Sequence, residues 1–247
     1  MDKKRYAILD ILRGLTLISM IAYHAVWDLV YLFGVGWDWY KTNAAYVWQQ
    51  SICWSFIILS GFCWNLGKKK WRRGFVVFVA GTVISVATYV FMPDAKILFG
   101  VLTFLGSAMM LFIILDKVLR ICEPTVGAIV CAALFVITRN INDGELGFES
   151  LHLVDLPDRL YRGWFANYLG FTQDGFWSMD YFPLLRWIFL FAVGYFLYGI
   201  FAKYAWFKVL KKGKCAALEC VGKHSLLIYM LHQPLLYGLL WLVFKVM

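Results

Sequence analysis

Seven apolar runs, most of them about as long as a bilayer is thick, leave this chain few folds to choose from. They occupy residues 8–33, 46–66, 74–91, 97–115, 124–138, 184–202 and 223–244. Inside lipid every backbone N–H and C=O must be satisfied within the chain, so such runs become helices. The fifth run is the shortest. At 62% hydrophobic and 16% charged, the chain falls well below the roughly 25% charge of soluble domains. That excludes a water-soluble enzyme, and the same apolar content excludes a disordered chain. The expected fold is all-α: a polytopic membrane helical bundle of about seven transmembrane helices. No linker or repeat divides it, so residues 1–247 read as one integral membrane domain.

The net charge of +9 invites a nucleic-acid reading, but its distribution points to the bilayer instead. If alternate connections share a side, one side gathers 16 of the 24 Lys and Arg residues, including Lys69, Arg72, Lys211 and Lys212, and the other has seven. By the positive-inside rule the N-terminus is cytoplasmic, and the chain is expected to cross the cell membrane several times. The first run is too long, and too often interrupted by polar residues, for a cleaved signal. The six cysteines form no CxxC pair and read as packing residues, so no metal is expected.

One connection is long. Residues 139–183 run on the outer side and hold acidic residues, Asp180 among them, together with Trp164, Phe165, Phe176 and Trp177. A structureless loop of this length is uncommon in a compact domain. It is therefore expected to hold hidden short helices or to cap an outward-facing cleft.

The first run is the most informative. Asp10, Arg13, His24 and Asp28 share one span, where charge is costly and normally faces a cavity or a partner. At about 100° per residue, His24 falls about 20° from Arg13, and Asp10 and Asp28 both fall about 60° from it. The four lie on one stripe, expected to face the bundle interior. Asp10 and Arg13 can pair at three residues' separation. Asp28, one turn beyond His24, can orient an imidazole acting as a general base. Arg13 and His24 are separated by about 16 Å of rise, so they belong to two levels of the seam. In the last run His232 and Tyr229 can share a face, and Pro234 frees a carbonyl near Met230.

Arg13 and His24 stand in an Arg-x10-His arrangement. The string LDILRGLTLISMIAYHAVWDL resembles the transmembrane acyltransferases of bacteria related to heparan-α-glucosaminide N-acetyltransferase. FIILSGF (56–62), LFGVLTFLGSAMML (98–111), MDYFPLLRWIFLFAVGYFLYG (179–199) and HSLLIYMLHQPLL (224–236) extend the resemblance over most of the chain. One departure is Arg186 before Trp187, where the pattern often has proline.

The resemblance implies that an acyl group, typically acetyl, passes from cytoplasmic acetyl-CoA or another acyl-CoA to an amine or hydroxyl of an outer glycan. It makes His24 the catalytic histidine, Asp28 its neighbouring aspartate and Arg13 the motif arginine. Lys69, Arg72, Lys211 and Lys212 are candidates for the CoA phosphates. His232, Tyr229 and Asp180 are candidates for the acceptor. The partners expected are the lipid bilayer, acyl-CoA and a carbohydrate acceptor, with no nucleic acid; a homo-oligomer is compatible with the sequence. The polar seam alone suits a small-solute or proton-coupled transporter nearly as well. A third reading, His24 and His232 as haem ligands, lacks a second in-register histidine pair.

Overall fold

The computed structural model describes residues 6–211 and 214–246; the side chain of Val246 lies outside the description. Each of the seven apolar runs forms a helix. These are α1 (Ala7–Tyr31), α2 (Asn43–Trp64), α3 (Lys70–Phe91), α4 (Val101–Leu119) and α5 (Pro124–Ile137), then α7 (Leu184–Lys203) and α9 (Ser225–Val246), with α6 (Trp164–Leu169) and α8 (Ala216–Lys223) as short additions. Among the described residues five helices, α1, α3, α4, α7 and α9, are long and apolar enough to cross a membrane. Helix α5 has 14 residues, short for a span. Helix α2 has 22 residues but carries Gln49, Gln50, Ser51 and Ser55, which lower its hydropathy below that of the other long helices. The chain is thus an all-α polytopic membrane protein.

The helices group into two compact units. One comprises residues 1–59 and 202–247, the other residues 60–201. In the first, α1 packs against α8 almost backbone to backbone. A Cβ placed on Gly222 would sit 1.9 Å from the Asp10 carbonyl oxygen, and one on Gly14 would sit 2.2 Å from that of Leu218. Only glycine permits this approach, the small-residue packing that membrane helices use where burial gains little. Leu17, Met20 and Ile52 form the core beside it, and the Trp48 indole N–H donates to the Ser19 hydroxyl at 2.8 Å. The residues before α9 read in sequence as a plain basic connection. Instead they form a 3-10 turn, Trp206–Lys211, and then α8.

In the second unit α3 and α4 meet through Gly81 and Gly106, where an added Cβ would fall 2.5 Å from the Thr103 nitrogen and 2.4 Å from that of Phe78. The core is aromatic, with Phe104, Phe112 and Phe191 at 1% exposure or less. The Trp64 indole N–H donates to the Met109 carbonyl at 2.8 Å, and the Tyr195 hydroxyl to the Asp116 carboxylate at 2.6 Å.

The long segment 139–183 is built, as its length suggests. It holds an antiparallel hairpin, β1 (Glu145–Phe148) with β2 (Leu151–Asp155), two 3-10 turns and α6. The hairpin has no counterpart in the sequence expectations. Arg139, 2% exposed, anchors it through Glu149 at 3.1 Å and stacks over the Trp187 ring at 5.2 Å.

Candidate functional site

The polar stripe of α1 faces α8 and α9 within the first unit. Near the start of α1, the Arg13 guanidinium donates to the Asp10 carboxylate at 3.0 Å and to the Gly222 carbonyl at 3.4 Å. Asp10 is 6% exposed. Arg13 therefore ties α1 to α8 at the place where the two backbones touch. A buried carboxylate next to a guanidinium is a paired charge, and the pair sits where the two helices meet.

Toward the other end of α1, two histidines meet. Nδ1 of His24 lies 3.0 Å from the Met20 carbonyl, on its own helix, and 3.3 Å from Nε2 of His232 on α9. Nδ1 of His232 faces the Tyr229 carbonyl. A carbonyl only accepts, so each Nδ1 carries a proton. The His24 proton is shared between the Met20 oxygen and the Nε2 lone pair of His232. That leaves the His24 Nε2 lone pair without a proton, as a general base requires. The two rings tilt at 55° with centroids 4.9 Å apart, and the Tyr229 ring lies 5.4 Å from that of His232.

Asp28 is fully buried, but its partner is not His24. Its Oδ1 accepts from the Gln233 amide at 2.7 Å, while Asp28 Oδ2 and Gln233 Oε1 have no hydrogen-bond partner among the described residues. The His24 ring is held by Met20 and His232, and the carboxylate one turn on is held by the residue after His232. His24, His232, Tyr229, Asp28 and Gln233 thus form one polar cluster between α1 and α9. Gln233 is the member that sequence reasoning passes over, although an amide beside His232 in an otherwise apolar helix is a visible signal.

The remaining candidates lie elsewhere. Lys69 and Arg72 are exposed in the second unit, and Lys211 is exposed in the first. Lys212 lies outside the described residues. Asp180 also belongs to the second unit, where its carboxylate accepts from the Val101 backbone N–H at 3.2 Å and so closes the open end of α4. Burial pushes the Asp180 carboxyl up to about 6, against the opposing pull of that N–H. A raised acid favours the folded state when protonated, so its contribution grows as pH falls from about 6 toward the unfolded value near 4 and is lost as pH rises. The melting temperature should climb as pH falls through that window, and the climb should shrink in Asp180→Asn. An equal climb in both proteins would assign it to another group.

One comparison with known proteins agrees with the sequence resemblance. A family model described as heparan-alpha-glucosaminide N-acetyltransferase, catalytic, matches residues 5–234. No match was found to a curated protein or to a solved structure. The matched span takes in both α1 and the His232–Gln233 turn of α9.

Proposed function

The chain belongs to the heparan-α-glucosaminide N-acetyltransferase catalytic family, and from that premise we propose that it carries an acyl group, acetyl first, from cytoplasmic acyl-CoA to an amine or hydroxyl of a glycan outside the membrane, with His24 as general base. The observation carrying this reading is the pair of contacts that holds His24 Nδ1, to the Met20 carbonyl and to His232, and so leaves Nε2 as the nitrogen available to take a proton. Membership of the family brings acyltransferase activity in a transmembrane setting; the donor, the acceptor and the base are the proposed part.

In the step itself, Nε2 of His24 takes the proton from the acceptor nitrogen or oxygen as that atom attacks the thioester carbonyl. The tetrahedral intermediate collapses with cleavage of the C–S bond. The departing thiolate takes the proton back from the imidazolium, leaving an acylated acceptor, free CoA thiol and neutral His24. While His24 is charged, its Nδ1–H donates more strongly to the His232 lone pair and the Met20 carbonyl, which stabilises the imidazolium. His232 is thus a positioning residue. Asp28 and Gln233, bonded to each other, hold α1 and α9 in register around the two rings. Arg13 is a structural tie in this reading, and the exposed Lys69, Arg72 and Lys211 are surface cations available to CoA phosphates. The site would lie in the cell membrane.

The test uses the purified full chain in sealed vesicles, with radiolabelled acetyl-CoA on one side and a glucosamine-terminated oligosaccharide on the other. Label should appear on the saccharide. Flux of a small solute without turnover of acetyl-CoA would instead establish the transport reading of the same polar seam.

His232→Gln provides a sharper check on positioning. Loss of the ring that accepts from His24 should lower kcat by about tenfold to a hundredfold, with the acceptor KM little changed. A rise in KM alone would place His232 on the substrate.

A further inference from the structure

Beside His24, the outer end of α1 opens into a cleft of about 250 Å³ that the catalytic cluster does not use. Tyr23, Trp27 and Tyr31 recur every four residues and line it from one face of α1. Tyr40 closes it from the 3-10 turn Asp38–Lys41, with Thr42 and Gln49 at its rim. The rings touch in sequence: Trp27 to Tyr31 at 5.4 Å, Tyr31 to Tyr40 at 6.1 Å and Tyr40 to Tyr23 at 5.2 Å. Tyr40 is 5% exposed, and its hydroxyl donates to the Tyr23 carbonyl at 3.3 Å. The last ring in the series, Tyr23, stands edge-on to the His24 imidazole at 6.0 Å.

We propose that this cleft holds the acceptor as a pyranose ring, stacked on Trp27 and Tyr31 and hydrogen-bonded at its rim. Aromatic faces match the C–H face of a sugar, while Thr42 and Gln49 supply donors and acceptors for hydroxyls. The volume is below the roughly 300–1,000 Å³ of pockets for drug-sized ligands, and suits one sugar ring rather than an extended chain. Aromatic cages also bind quaternary ammonium groups. Among the described residues, however, no carboxylate lines this cleft and Lys41 does, which disfavours a cation. The role as acceptor site rests on the acyl-transfer reading; the binding of a sugar does not.

The experiment is saturation-transfer NMR on the purified full chain in detergent, with methyl α-D-glucopyranoside as probe and choline as rival. The glucoside should bind at millimolar concentration. Trp27→Ala and the more exposed Tyr31→Ala should each weaken it about fivefold to tenfold. Trp241→Ala, an exposed aromatic on α9, should leave it unchanged. Absence of glucoside binding up to about 100 mM, equal loss in Trp241→Ala, or preferential binding of choline would each overturn the proposal. Sugar binding in the cleft without acyl transfer would sink the reaction and spare the cleft. Transfer with an unaltered acceptor KM in Tyr31→Ala would sink the cleft and spare the reaction.

Discussion

Replacing His24 with alanine should lower acyl transfer by at least about a hundredfold, and by as much as about ten-thousandfold, the range a positioned general base contributes. The effect should be in kcat and in kcat/KM together, because proton removal from the acceptor occurs only in the transition state. The helix should survive. His24 is half-buried, alanine is the best helix former, and the link to α9 that disappears is a single 3.3 Å approach to His232. An unchanged melting temperature with no turnover is the expected pair of measurements. Full activity in a well-folded His24→Ala protein would remove the base from the mechanism. His24→Gln separates hydrogen bonding from proton transfer, since an amide can donate but cannot take the acceptor's proton; it should be as inactive as alanine.

The second large effect is structural and lies at the other end of the seam. Gly222→Val should prevent accumulation of folded protein, and Gly14→Leu should do the same. At each position the first added carbon already overlaps a backbone carbonyl of the facing helix, 1.9 Å from Asp10 in one case and 2.2 Å from Leu218 in the other. Backbone cannot swing aside as a side chain can. Relief therefore requires α1 and α8 to part, which also pulls the Gly222 carbonyl from Arg13 and the Arg13–Asp10 pair out of its buried setting. Overpacking alone costs about 1–3 kcal/mol, and parting the helices also gives up the Arg13 hydrogen bond to the Gly222 carbonyl and the packing around it. Expression level and melting temperature in detergent are the readouts. A Gly222→Val protein that melts like the wild type would show that the two helices do not touch there.

The two ends of the seam are not equally legible. Four charged or titratable residues on a stripe of α1 can be recognised from periodicity alone, because charge in lipid is costly enough to require a cavity or a partner on that side. The pairing of Arg13 with Asp10 follows from their spacing on one helix. What faces the stripe does not. Gln233 lies 205 residues from Asp28, and no local rule reveals that an amide takes the carboxylate that spacing assigns to the imidazole. Nor does sequence fix which nitrogen of His24 bears the proton; that depends on the Met20 carbonyl and a second ring arriving from α9. Helix α8 escapes notice because its eight residues sit among lysines and lack the length that marks a span. The hairpin inside residues 139–183 is hidden by its short strands, four and five residues long. The aromatics of the cleft are visible individually, but interfacial Trp and Tyr are common enough that only their arrangement around Tyr40 distinguishes a binding surface from an anchor.

The approach of His24 to His232 spans 208 residues of chain, and this has a consequence for the timing of synthesis. A membrane protein is threaded into the bilayer as the ribosome extends it, so α1 is in place long before α9 has been made. During that interval the imidazole of His24 has no second ring to share its proton, and Asp28 has no amide to cap it. A nascent or prematurely terminated chain therefore carries the acyltransfer motif of α1 in full and still lacks the assembled centre. On the proposed reading, turnover begins only when α9 has docked against α1, so the base acquires its second ring only after α9 has been made.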